Sequence, residues 1–72
     1  MESQRIKELD VVALTVDLPA ENLVRGQVGT VVHIYTPEDF EVEFVDRDGR
    51  TYALATLREE QLLILHHEPV AA

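Results

Sequence analysis

The sharpest pattern in the chain lies at Phe40 to Val45, where Phe40, Val42 and Phe44 alternate with Glu41 and Glu43. A period of two is that of a strand with one face in a core and the other in water. The register of such a strand is fixed, because a slip of one residue would bury two unpaired carboxylates at a cost on the order of several kcal/mol. Asp46 to Arg50 follows, and its Asp48-Gly49 pair tolerates the positive φ that a tight hairpin needs. Upstream, Thr30 to Tyr35 is rich in β-branched residues and reads as a second strand, with Val32 and Ile34 on one face and Val31, His33 and Tyr35 on the other. Thr36-Pro37-Glu38-Asp39 fits the hairpin loop between them, Pro37 having the φ wanted at the second position of a type I turn. Downstream, Thr51 to Thr56 completes a three-stranded meander. Apolar residues on both of its faces predict that it is the central or most covered strand of the three.

Asp10 to Thr15 reads as the first strand, with Val12 and Leu14 as the core pair and Val11 and Ala13 opposite. Before it, Met1 to Glu8 is polar and expected to fray; Ile6 and Leu9 either form one helical turn or Ile6 packs on the barrel end. Thr15 to Gln27 is a long loop expected to be ordered, with Leu18-Pro19 and Leu23-Val24 docked on the barrel and Arg25-Gly26-Gln27 as a diverging turn. Gly26 is assigned to positive φ in that turn and Gly29 to a bulge or a close strand approach. Thr56-Leu57-Arg58-Glu59 has capping-box spacing but room for a single 3₁₀ turn before a last strand at Gln61 to Leu65. His66 to Ala72, with Pro69, reads as an unordered tail. The layout is that of an all-β, five-stranded antiparallel SH3-like barrel with one 3₁₀ turn before the last strand. It forms a single domain over residues 1–72, with its core at about 6–65.

Composition narrows the setting. A domain of 72 residues buries only about 60% of the surface its unfolded chain exposes, so its stability margin is thin. With 46% hydrophobic and 28% charged residues, no apolar run is long enough to span a bilayer, and acidic residues stand where a secretion signal would be basic. A cytoplasmic protein with no membrane partner is expected. The absence of cysteine excludes disulfides and thiolate metal sites. Fourteen acidic against six basic residues, a net charge of −8, repel polyanions. Nucleic acid is therefore not the expected partner, and a basic or neutral protein is.

Candidate chemistry is sparse. His66 and His67 are adjacent and would point to opposite faces of a strand, while His33 belongs to another strand, so the three histidines do not read as a metal site. The one serine, Ser3, lies in the N-terminal segment and offers no nucleophile. Glu41 and Glu43 are about 7 Å apart by the strand rise, near enough for acid–base or hard-cation work, but a solvated strand face explains them more simply. Asp46, Asp48 and Gly49 begin like a calcium loop and lack its remaining ligands. No catalytic, cofactor-binding or metal-binding residue is assigned, and no cofactor is expected. Tyr35, Tyr52 and the long loop stand where SH3-like barrels bind peptides, yet four aromatic residues make a poor groove. The informative excess is apolar: Val11, Val31, Leu63 and Leu65 fall opposite the expected core residues, and with Tyr35 they are the candidate protein interface. Leu62 to Leu65 is an uncharged terminal strand, suited to self-association or docking at a sheet edge unless Ile6 and Leu9 cover it.

The strings Leu9-Asp10-Val11-Val12-Ala13-Leu14, Asp17-Leu18-Pro19, Gly26-Gln27-Val28-Gly29-Thr30-Val31-Val32, Val42-Glu43-Phe44-Val45-Asp46 and Asp48-Gly49-Arg50-Thr51 resemble a family of short bacterial proteins of unknown function, over roughly residues 6–65. The resemblance implies an SH3-type barrel and brings with it no substrate, cofactor or catalytic residue. The glycine element at Gly26 and Gly29 also resembles the glycine turn of ribosome- and transcription-associated barrels, which are basic around that turn where this chain has only Arg25. The expectation is a non-enzymatic protein-interaction or structural module, either a homodimer or the partner of a basic or neutral bacterial protein. One concrete version is an antitoxin- or immunity-like partner of a neighbouring gene product. The alternative is a translation- or nucleic-acid-associated barrel of the same fold.

Overall fold

The computed structural model describes residues 5–66. Met1 to Gln4, expected to fray, and the tail from His67 onward, expected to be unordered, lie outside them. Among the described residues the chain forms β1 (Val11–Leu14), β2 (Val28–Thr36), β3 (Asp39–Val45), β4 (Thr51–Arg58) and β5 (Leu62–Ile64). All pair antiparallel in one sheet of order β4-β3-β2-β1-β5. This is the all-β, SH3-like arrangement expected from the sequence, except that the sheet is not closed. β4 and β5 are joined by a 3₁₀ turn, Glu59–Gln61, rather than by a ladder. A further short 3₁₀ segment, Pro19–Glu21, sits inside the long β1–β2 loop.

The core follows from the alternation in β3. Phe40, Val42 and Phe44 are buried and pack with Val12 and Leu14 of β1, Val31 of β2, Ala55 and Leu57 of β4, and Leu62 of β5. Both edge strands thus contribute to one cluster, which curls the sheet around it. Leu23 from the long loop and Ile6 from the N-terminal segment cap the cluster. That loop is ordered by its own bonds: Leu18 bridges Leu23, Gly26 N–H donates to Leu14 O, Arg25 N–H to Asp17 Oδ1 and Val24 N–H to Gln27 Oε1. Leu23 docks as expected, whereas its neighbour Val24 stays exposed. Ahead of β1 the backbone is held by Leu9 N–H to Val31 O and Val31 N–H to Asp10 O, and Ile6, in the segment expected to fray, is buried in the core.

The glycine assignments divide by cause. Gly26 and Gly49 have φ of 94° and 81°, as turns require. In the Asp46–Arg50 hairpin, Asp46 Oδ1 accepts from Asp48 N–H and Arg50 N–H, and Gly49 N–H donates to Asp46 O. Gly29 instead marks a close strand approach: a Cβ there would lie 2.6 Å from Val42 Cγ1 and 2.9 Å from Glu43 O.

Three expectations are corrected. Val31, named as an interface residue, is fully buried at 0% exposure. The β2–β3 register shifts between Val31 and His33, so the parity that grouped Val31 with His33 and Tyr35 fails at Val32 and Val31 shares the inner face with Ile34. β4, expected to be central, is an edge strand. Its apparent two-faced character arises because Ala53 and Ala55 point inward while Tyr52 and Leu54 are exposed. The 3₁₀ cap is not Thr56 with Glu59: Arg58 is the N-cap, and its N–H donates to Gln61 Oε1, while Thr56 remains in the strand and donates to Glu41.

Gly29→Ala is expected to destabilise by about 1–3 kcal/mol, the usual cost of overpacking, because the nearest clash includes the Glu43 backbone carbonyl. In a domain this small each kcal/mol lowers Tm by roughly 4–8 °C. A variant melting with the wild type would show that β2 and β3 are not as close as described.

Candidate protein-binding face

Directly opposed residues on neighbouring strands share a face, so the pairing register shows what the sheet turns outward. Leu63 pairs with Ala13, and Ala13 with Val28. One step along, Leu65 N–H donates to Val11 O, Val11 pairs with Thr30, and Thr30 with Glu43. These rows run across β5, β1 and β2 as an apolar stripe that ends against a carboxylate. Leu63 is 57% exposed, Val11 and Leu65 are half-buried, and Ala13 is sunk between the larger Leu63 and Val28. The structure therefore brings together three of the expected interface residues, Leu63, Leu65 and Val11, and adds Val28. Leu9 does not cover them: it is 73% exposed with φ of 73°, and Ile6 packs into the core instead. Val28 was missed because it precedes the run of β-branched residues read as the strand.

Beyond the stripe lies a polar part of the same face. Thr51 Oγ1–H donates to Glu43 Oε2, and Thr56 Oγ1–H and Tyr35 O–H both donate to Glu41 Oε1, at 2.8 and 3.1 Å. The two glutamates thus accept from hydroxyls of β4 and β2. Tyr35 belongs to this polar end, edge-on to His33 with ring centroids 4.7 Å apart, and not to the apolar stripe. Tyr52 lies elsewhere, tilted against Phe44 and accepting from Gln27 Nε2–H. A second bulge displaces Tyr35 from the ladder, so it also borders an open cleft of about 610 Å³ floored by Ile6, Ile34 and Phe40 and rimmed by Glu38 and Glu59. That cleft was not legible in the sequence, because it exists only once Ile6 folds beside the β2–β3 hairpin. Next to it Arg58 reaches three carboxylates, Glu60 at 3.0 Å, Glu38 at 3.7 Å and Asp39 at 3.8 Å. Arg58, Glu38 and Glu60 are exposed and Asp39 is half-buried, so each pair contributes little singly. Among the described residues no three His, Asp or Glu gather where they could hold a metal ion, and no helix is long and apolar enough to cross a membrane.

Residues 8–64 match the family described as a domain of unknown function, DUF4926. The chain belongs to this family. No curated protein and no solved structure matches it. The matched DUF4926 region contains all five strands and both 3₁₀ segments, and with them Val11, Val28 and Leu63 of the outward stripe and its acidic border; Leu65 lies one residue beyond it.

The electrostatics of this DUF4926 face are set by the hydroxyl–carboxylate bonds. Donation to Glu41 raises the Tyr35 phenol above its ordinary value of 10.0, helped by desolvation and by the carboxylate's charge. The bond favours the protonated phenol, so its contribution is present below the ordinary value and lost as pH rises through the raised one. Glu60 moves the opposite way, lowered first by a backbone N–H and then by Arg58. Its contribution is present above the ordinary carboxylate value and fades as pH falls. In a Tyr52→Phe background, absorbance against pH reads Tyr35 alone, and adding Glu41→Ala should move its ionisation to lower pH. An unmoved midpoint would mean that Tyr35 does not donate to Glu41.

Proposed function

We propose that this protein is a non-enzymatic binding module that docks a protein partner on the outer face of β5, β1 and β2. The observation that supports it best is the stripe of Leu63, Leu65, Val11 and Val28, uncovered among the described residues and bordered by Glu43 and Glu41. Covering one exposed leucine is worth roughly 1.5–3 kcal/mol, so a few such side chains can anchor a complex. The carboxylates at the border, in a chain of net charge −8, suit a partner that presents apolar side chains beside Lys or Arg and disfavour nucleic acid. The reading fits a bacterial cytoplasmic protein that neutralises or regulates the product of a neighbouring gene, in the manner of an antitoxin or immunity protein.

Calorimetric titration against the product of the adjacent reading frame tests this. Binding is expected, with Leu63→Lys or Val28→Lys weakening it at least about tenfold and added salt slowing association. Absence of binding, or affinity indifferent to both substitutions, would contradict the proposal, and gel retardation of RNA at physiological salt would favour the nucleic-acid reading.

A binding role without a metal also predicts that added Zn²⁺, Ca²⁺ or Mg²⁺ leaves Tm unchanged. A specific site would add about 2.7 kcal/mol at a hundredfold excess over Kd. A rise of several degrees, lost in a Glu41→Gln and Glu43→Gln double variant, would overturn that expectation.

A further inference from the structure

We propose that two copies of this chain pair through β4, edge to edge and antiparallel, about a two-fold axis at Ala55. This contact is separate from the docking face above. Among the described residues β4 is hydrogen-bonded within the sheet on one side only, to β3. Ladder parity fixes which of its backbone groups point away. Glu59 N–H donates to Glu38 O, so alternate pairs from there, Phe40 with Leu57 and Val42 with Ala55, are the ones that exchange backbone bonds. Leu54 and Thr56 therefore turn N–H and C=O to the open edge. The Arg58 N–H is already taken by Gln61 Oε1. Side chains along this edge from Tyr52 to Thr56 carry no charge, the usual device that blunts an exposed edge strand.

One two-fold register satisfies all four open groups. With Ala55 opposite Ala55 of the second copy, Leu54 faces Thr56 of the other chain, and the two residues exchange both bonds on each side of the axis. Centring on Leu54 would require Tyr52, which the irregularity between Phe44 and Val45 displaces from the ladder. Centring on Thr56 would set Leu54 against Arg58, whose N–H is used. The favoured register also matches side chains. Leu54, 56% exposed, is covered by the second copy, whose uncharged Thr56 stands opposite it. The β5 edge is the poorer template for a second copy, since its Leu62 N–H is already bonded to Glu59 O. Pairing β4 with β4 closes as a dimer, whereas β4 on β5 would propagate without end.

Sedimentation equilibrium of the wild type should show a concentration-dependent mass approaching twice that of one chain. Leu54→Pro removes one edge N–H at a position where proline is tolerated in a strand and should weaken the dimer at least tenfold, with circular dichroism confirming the fold. Should that variant unfold, Leu54→Lys gives the same reading. Ala55→Cys in this cysteine-free chain should form a disulfide-linked dimer under mild oxidation, because the expected Cα separation of about 4.5 Å suits a disulfide. Ala53→Cys should not. A wild type that stays monomeric at about 1 mM, a Leu54→Pro variant that dimerises like the wild type, or equal cross-linking of the two cysteine variants would each overturn the proposal.

Discussion

The fold depends on the packing of Phe40, Val42 and Phe44 against β2 at the point where Gly29 lets the two strands approach. Each of these side chains is buried almost completely, and each contributes roughly 1.5–3 kcal/mol by leaving water. Against a total stability of about 5–15 kcal/mol for a domain, no one of them is dispensable. The alternation that buries them also places Glu41 and Glu43 outside, so core and acidic surface are fixed by the same register. Every other element is arranged to reach this cluster. β1 and β5 arrive from one side, β4 from the other, and the long loop and the N-terminal segment supply Leu23 and Ile6 as caps.

A sheet this small has one interior, and its remaining surfaces are accounted for by what the interior cannot take up. Apart from Ile34, which lines the open cleft, the inner faces of the five strands are committed to the core. Among the described residues nothing lies over the apolar side chains on the outer face of β5, β1 and β2, and the two sheet edges are left unpaired because a 3₁₀ turn, not a ladder, connects β4 to β5. Glu59 N–H to Glu38 O and Thr15 N–H to Gln61 O hold that turn at the base of the sheet, which keeps the edges apart. The open edges of this molecule are consequences of an incomplete closure.

Much of this was legible in the residues. The period of two in β3, the Asp48-Gly49 hairpin, the Val12 and Leu14 core pair and the close approach at Gly29 all follow from local pattern, and local pattern is what the structure obeys there. The failures have a common cause, which is information held by the partner strand. Val31 lies inside because β2 bulges at Val32, and a bulge is a property of pairing with β3 rather than of the β2 sequence. β4 reads as central because alanine counts as apolar yet fills little space, so its inner face of Ala53, Ala55 and Leu57 looks no more buried than the exposed Tyr52 and Leu54. Thr56 has the spacing of a cap, but Glu41 across the ladder claims its hydroxyl. The apolar stripe was half visible: Leu63, Leu65 and Val11 were found by parity, while Val28 needed the β1–β2 register.

Amide hydrogen exchange, followed residue by residue at low and high protein concentration, bears most directly on a sheet with one tight core and open edges. The amides of Val42 and Ala55 should exchange slowly at both concentrations, through global unfolding, whereas those of Leu54 and Thr56 should exchange fast when dilute and become protected as copies pair. Leu54 and Thr56 amides that are as protected as Val42 in dilute solution would contradict it, because the β4 edge would then be covered within a single chain.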